Sequence, residues 1–91
     1  MPLNLYHRRI CEELTKRGIL WQDEYSIGQY SVDIFLPEYK RLVELDGPLH
    51  LSSKADRRRE DEILEMRPEL NFERVKVGTP VLEAMGKILS V

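Results

Sequence analysis

Asp33, Glu44 and Asp46 are carboxylates set inside two apolar, β-type runs of the segment YSVDIFLPEYKRLVELDGPLH, residues 30–50. Acids are costly in such runs unless something uses them. Successive strand side chains point to opposite faces, so Glu44 and Asp46 share one face of their strand and Val43 and Leu45 share the other. With Asp33 on the preceding run, three acids could converge on one point. Ionised carboxylates drawn together in a partly buried place repel and lose hydration, and a bound divalent cation offsets both effects.

The elements that must position these acids follow from periodicity. Leu3, Tyr6, Ile10 and Leu14 recur at three- and four-residue intervals, which predicts a first helix from about residue 4 to 17 that Gly18 ends. Strands are expected over 21–27 and 30–36, joined by a Gly28-Gln29 turn, with Tyr30, Val32, Ile34 and Leu36 alternating against Ser31, Asp33 and Phe35. Pro37-Glu38 turns the chain into a third strand over 41–46, whose LVEL suggests a central position covered on both sides. Gly47-Pro48 breaks it. Ser52 or Ser53 caps a second helix that runs to about 67 and stops at Pro68. Phe72, Val75 and Val77 mark a fourth strand, with Phe72 and Val75 out of phase, as a bulge or later start would make them. Thr79-Pro80 opens a last helix bearing Val81, Leu82, Met85, Ile88 and Leu89. The expected fold is α/β, a mixed four-stranded sheet flanked by helices in the order α-β-β-β-α-β-α.

The chain has 91 residues, 42% hydrophobic and 33% charged, which fits a single domain over 1–91 with one modest core. One cysteine, Cys11, excludes an internal disulfide framework and any Cys-rich zinc site. No apolar run approaches the ~18 residues of a membrane span, and MPLNLYHRR lacks the apolar core of a secretory signal, so a cytoplasmic or nucleoid address is expected. A net charge of −2 gives no global basic field, yet basic residues cluster at 7–9, 16–17 and 54–59.

Residues 56–62, DRRREDE, are all charged, and one face of that helix must still meet the sheet. Stepping back from Ile63 by helical spacing lands on Arg59, which makes it the charged residue expected to point toward the strand carboxylates. The rest of the run reads as a solvated face with i,i+4 ion pairs such as Arg58 with Glu62.

The stretch VDIFLPEYKRLVELDGPLH, followed by a charged helix with DRRR, resembles the core of small nucleases related to the very short patch repair endonucleases. These belong to the PD-(D/E)XK superfamily, and the likeness extends to phage homing endonucleases of the EDxHD kind. It rests on VD, ten residues, then E-x-D-G-x-x-H, and it implies a restriction-endonuclease-like fold. It also implies that Asp33 binds metal, that Glu44 is the acid of the E-x-K signature, and that Asp46 stands where many members have lysine. His50 resembles the histidine beyond that strand, a general base or metal-water contact. His7 falls where the family carries a glutamate early in its first helix, with Glu13 a turn or more later as a supporting acid.

The implied chemistry is phosphodiester hydrolysis with Mg2+ or Mn2+ held by Asp33, Glu44 or Asp46 and the carbonyl of Leu45, with nucleic acid as partner and DNA favoured over RNA. Arg59, with Lys54, would clamp the phosphate, and Arg57 and Arg58 would contact nucleic acid. His50 can accept a proton from water near neutral pH. VELDGPLH also resembles the RAP domain of RNA-binding proteins, a binding module without catalysis. A nuclease fold that has lost its chemistry is the third reading. Cutting both strands of a duplex needs two copies, and the apolar face of residues 81–89 serves either as a homodimer surface or as a cover for the sheet.

Overall fold

A computed structural model describes residues 3–47 and 54–90 of the chain. Helix α1 (Leu3–Lys16) leads into strands β1 (Gln22–Ile27), β2 (Tyr30–Leu36) and β3 (Arg41–Asp46), followed by helix α2 (Lys54–Met66), strand β4 (Asn71–Lys76) and helix α3 (Val81–Ile88). The strands form one sheet in the order β1-β2-β3-β4. The β1–β2 and β2–β3 pairs are antiparallel and the β3–β4 pair is parallel, so the sheet is mixed and the crossover to β4 carries α2. The expected order α-β-β-β-α-β-α is the one observed.

Two apolar clusters place the helices on opposite faces. Tyr6, Ile10 and Leu14 of α1 and Ala84, Met85 and Ile88 of α3 pack with Ile34, Leu36, Val43, Leu45 and Val75 on one side. Ile63 of α2 packs with Val32, Phe35 and Leu42 on the other, where Tyr25, Tyr30, Leu64 and Phe72 close the edge. β3 is therefore sandwiched, which is why its sequence reads as nearly continuous apolar residues. The same two-sided cover resolves the phase of β4. Phe72 faces α2 and Val75 faces α1 and α3, so no bulge is required.

Local signals account for the element ends. Gly18 takes φ +73, its N–H donates to the Thr15 carbonyl and the Ile19 N–H donates to the Leu14 carbonyl. That hydrogen-bond pair is a Schellman ending, and Ile19 packs against the cluster that contains Leu14. Gly28, at φ +58, is the first central residue of a two-residue hairpin closed by the Ile27–Tyr30 pair. A Cβ there would lie 3.0 Å from the Met66 sulfur, so the turn also fits under the end of α2. Pro37–Tyr39 form a single 3-10 turn rather than a simple reversal, and it ends on Lys40 at φ +49. At the far end of the sheet the Arg41 guanidinium donates to the Ile88 and Ser90 carbonyls, satisfying the last turn of α3.

The clean alternation expected of β2 does not hold. Val32 joins the α2-side cluster, whereas Ile34 joins the α1/α3 side. The slip falls at Asp33. Opposite it on β1, Glu24 adopts a left-handed backbone at φ +45, and pairing is observed for Asp23–Ile34 and Tyr25–Val32 on either side of it. On the other flank the β2–β3 ladder runs from Leu36–Arg41 to Ile34–Val43 and stops there. Released from both neighbours, β2 rotates at Asp33 and exchanges its inward and outward faces.

Candidate active site at the fork of two strands

Where the β2–β3 ladder stops, Asp33 takes over its role. Its Oδ2 accepts the Leu45 backbone N–H at 2.8 Å, so a side chain satisfies a main-chain donor that the diverging strand no longer reaches. This fixes the carboxylate between the two strands, beside the next α2-facing residue of β3, which is Glu44. The two carboxyls lie within hydrogen-bonding reach. Burial first, then the hydrogen bond and charge of Asp33, push Glu44 up to about 7, against a smaller downward pull from Arg59.

Arg59, one turn before Ile63 on α2, points at this pair. Its Nη2 lies 2.6 Å from Glu44 Oε1. The same nitrogen donates to the Ser31 carbonyl, and the guanidinium lies over the Tyr30 ring, 5.8 Å from its centroid. The Tyr30 hydroxyl donates in turn to Glu62, so both aromatic and cation are tied between β2 and α2. Neither charge is fully withdrawn from water, with side-chain exposures of 25% for Arg59 and 12% for Glu44.

Asp46 shares the face of Glu44 but is drawn sideways. Arg74, on the parallel neighbour β4 in register with Glu44, places Nη1 3.0 Å from Asp46 Oδ1 and Nε 3.1 Å from Glu60 of α2. The face under α2 thus carries two ionic groups side by side, Asp33–Glu44–Arg59 and Asp46–Arg74–Glu60. Among the described residues no group of three or more His, Cys, Asp or Glu side chains is arranged to hold one metal ion. Two acids, Asp33 and Glu44, are brought together. That donor set suits a hard cation such as Mg2+, which binds through one or two carboxylates and keeps several of its waters.

The other expected residues lie elsewhere. His7 sits on α1 with Nε2 2.7 Å from Asp23 Oδ1, a close approach without the alignment of a hydrogen bond. Glu13 pairs with Arg17 at 2.8 Å along the same helix. Arg57 and Arg58 are exposed on α2. His50, the Ser52/Ser53 cap and the side chain of Lys54 lie outside the described residues. Cys11, on the inward side of α1, is buried, and burial, with Asp23 nearby, pushes its thiol up to about 12, which disfavours the thiolate. No helix among the described residues is long and apolar enough to cross a membrane.

Sequence reasoning missed Arg74, Glu60 and the Tyr30–Glu62 contact. A signal for Arg74 was present. In a strand covered on both sides, Phe72 facing α2 puts Arg74 on the same face, and only the pairing with β3 was needed to set it beside Glu44 and Asp46.

No family model matches the chain. Among solved structures, the catalytic domain of the homing endonuclease I-Bth0305I is similar to it, with a TM-score of 0.60 over 91% of this chain and 84% of that one. The identity is 18%, so the likeness is one of fold, and the α/β arrangement described above is a nuclease-like fold.

Proposed function

We propose that this chain hydrolyses phosphodiester bonds in nucleic acid, DNA ahead of RNA, as a metal-dependent endonuclease of the PD-(D/E)XK kind built on the pattern of the very short patch repair enzymes. The observation that carries this reading is the pair of half-buried carboxylates, Asp33 and Glu44, pressed together at a fork in the sheet with a single arginine beside them. Asp33 also accepts the Leu45 N–H and Glu44 also meets Arg59, but two carboxylates held together in a partly buried place repel, and a bound cation offsets that repulsion. The fold it shares with a homing endonuclease catalytic domain adds support.

Asp33 and Glu44, with the Leu45 carbonyl, would hold Mg2+ or Mn2+. When bound, the ion lowers the pKa of a coordinated water and neutralises charge on the phosphate. Asp33 is oriented for this by the Leu45 N–H, which leaves its other oxygen uncommitted by that bond. The planar guanidinium of Arg59 has the geometry to take two phosphate oxygens and offset charge developed there. Arg57 and Arg58, exposed on the same helix, with Lys54 at its start, would contact the nucleic-acid backbone. His50, just past β3, would accept a proton from the attacking water. Asp46 lends negative charge from its place beside Arg74; His7 and Glu13, engaged with Asp23 and Arg17, take no part in this reading. Two copies would be needed to sever both strands of a duplex, and α3, whose apolar face already covers the sheet, is not the surface for that pairing.

One observation favours a second reading. Glu44 is met by Arg59 and Asp46 by Arg74, so the charges are partly compensated within the chain, as a RAP-like binding module or an inactive nuclease fold would also have them. Incubation of the purified chain with supercoiled plasmid and with RNA, in Mg2+ or Mn2+ and in chelator, separates the readings. Metal-dependent nicking of DNA that disappears in Asp33→Asn is the expected result. The asparagine keeps the shape and can still accept the Leu45 N–H, so folding should persist while the charge is lost. Equal single-turnover cleavage by Asp33→Asn would remove Asp33 from the site, and binding without cleavage under every condition would favour the module.

A further inference from the structure

Arg59 is held at three points, Glu44 Oε1, the Ser31 carbonyl and the face of Tyr30, and all three belong to β2 and β3 rather than to its own helix. The first of these contacts is on the Asp33–Glu44 pair itself, where a divalent cation would need to sit. A guanidinium and a divalent cation cannot both occupy one face of two carboxylates without repelling each other strongly. We infer that Arg59 is the internal counter-ion of the metal-free site, and that a divalent cation binds by displacing it from Glu44. The inference rests on the reading above, in which Asp33 and Glu44 hold the cation.

Several features of the site suit an exchangeable counter-ion better than a fixed strut. The guanidinium keeps its charge at any accessible pH, so its hold on Glu44 is lost only to a competing cation or through movement of the side chain. At a quarter exposed it has an open route to water and need not drag α2 with it. Tyr30, anchored by Glu62 nearly one turn further along α2, already lies under the guanidinium and can keep it when the Glu44 contact is given up. Asp46 already has Arg74 as partner, so the competition is confined to Glu44.

If Arg59 and the ion compete, removing Arg59 must tighten ion binding in the absence of any nucleic acid, because a ligand's apparent affinity falls by the fraction of sites already closed to it. Calorimetric titration with Mn2+ alone reads this directly. Arg59→Gln should bind Mn2+ about tenfold more tightly than the unmodified chain, a figure scaled to a partly buried charge pair. Arg58→Gln removes the same formal charge from an exposed position on the same helix, where water and salt screen it, and should change affinity by no more than about twofold. A second measurement needs no variant. Nitrogen NMR of the arginine side chains should show Arg59 with restricted guanidinium rotation in chelator and averaged signals at saturating Mg2+.

Equal Mn2+ affinity in Arg59→Gln and the unmodified chain, or an Arg59 side chain that stays restricted at metal saturation, overturns the exchange while leaving the cation site itself standing. An effect of Arg58→Gln as large as that of Arg59→Gln overturns it too, since the cause would then be net charge. Failure of Mn2+ to bind either the unmodified chain or Arg59→Gln overturns the cation site, and the counter-ion role falls with it.

Discussion

Glu44→Gln should abolish a pH dependence of stability that the unmodified chain carries in the absence of metal. Glu44 is pushed from 4.5 up to about 7, first by burial and then by Asp33. A carboxyl raised in the folded state holds its proton more tightly there than in the unfolded chain. Its contribution is therefore fully present below about pH 4.5, declines as pH rises toward 7, and is gone above that. The full displacement corresponds to at most about 3 kcal/mol. The residual access of water and the offsetting charge of Arg59 reduce the expected loss to about 1–2 kcal/mol. Glutamine keeps an oxygen for Arg59 and has no proton to lose. Urea unfolding in chelator at pH 5 and pH 8, on both proteins, cancels in the difference the titrating groups that do not interact with Glu44, and leaves the contribution of the Glu44–Asp33 pair. The variant should gain about 1–2 kcal/mol on the unmodified chain between the two pH values, a relative midpoint shift of roughly 0.5–1 M urea for a slope near 2 kcal/mol/M. If the two stabilities run parallel from pH 5 to pH 8, the carboxylate pair is not under the electrostatic load inferred for it.

Asp46→Lys would set a second cation against Arg74, so it should lower the melting temperature by several degrees, about 1 kcal/mol for a chain of this size. It should also lower metal affinity and cleavage rate together, and a measured rise in cleavage would instead place Asp46 where lysine acts in other nucleases. Arg58→Glu should weaken DNA binding modestly and make its dependence on salt shallower by about one phosphate contact, as read from a fluorescence anisotropy series in increasing salt. An unchanged slope would leave the exposed side of α2 as a solvated face.

What was legible in the sequence depended on how locally each feature is determined. The bounds of β2 and β3 coincide with their apolar runs, and α1 ends one residue earlier than its periodicity suggested because Gly18 sets the Schellman hydrogen bonds. Arg59 could be aimed at the sheet from helical spacing alone, since one turn before a buried Ile63 has a single direction. The slip of β2 at Asp33 was not legible. Its own residues alternate without fault, and the cause lies on β1, in the left-handed backbone of Glu24. Nor could local pattern show that Asp46 leans toward Arg74, because that depends on the parallel register of β3 with β4 and joins residues 28 apart in the chain. Shared face was read as shared site. In the structure Glu44 and Asp46 share the face but have different partners.

The central claim is that the fork between β2 and β3 is a cation seat built from Asp33 and Glu44. Anomalous diffraction from crystals of the unmodified chain grown with Mn2+ tests it most directly. A manganese peak bonded to carboxylate oxygens of both Asp33 and Glu44, with coordination distances of about 2.1–2.3 Å, is the predicted result. Manganese bound only at surface carboxylates, with the Asp33–Glu44 pair still closed on Arg59 at saturating metal, would contradict it.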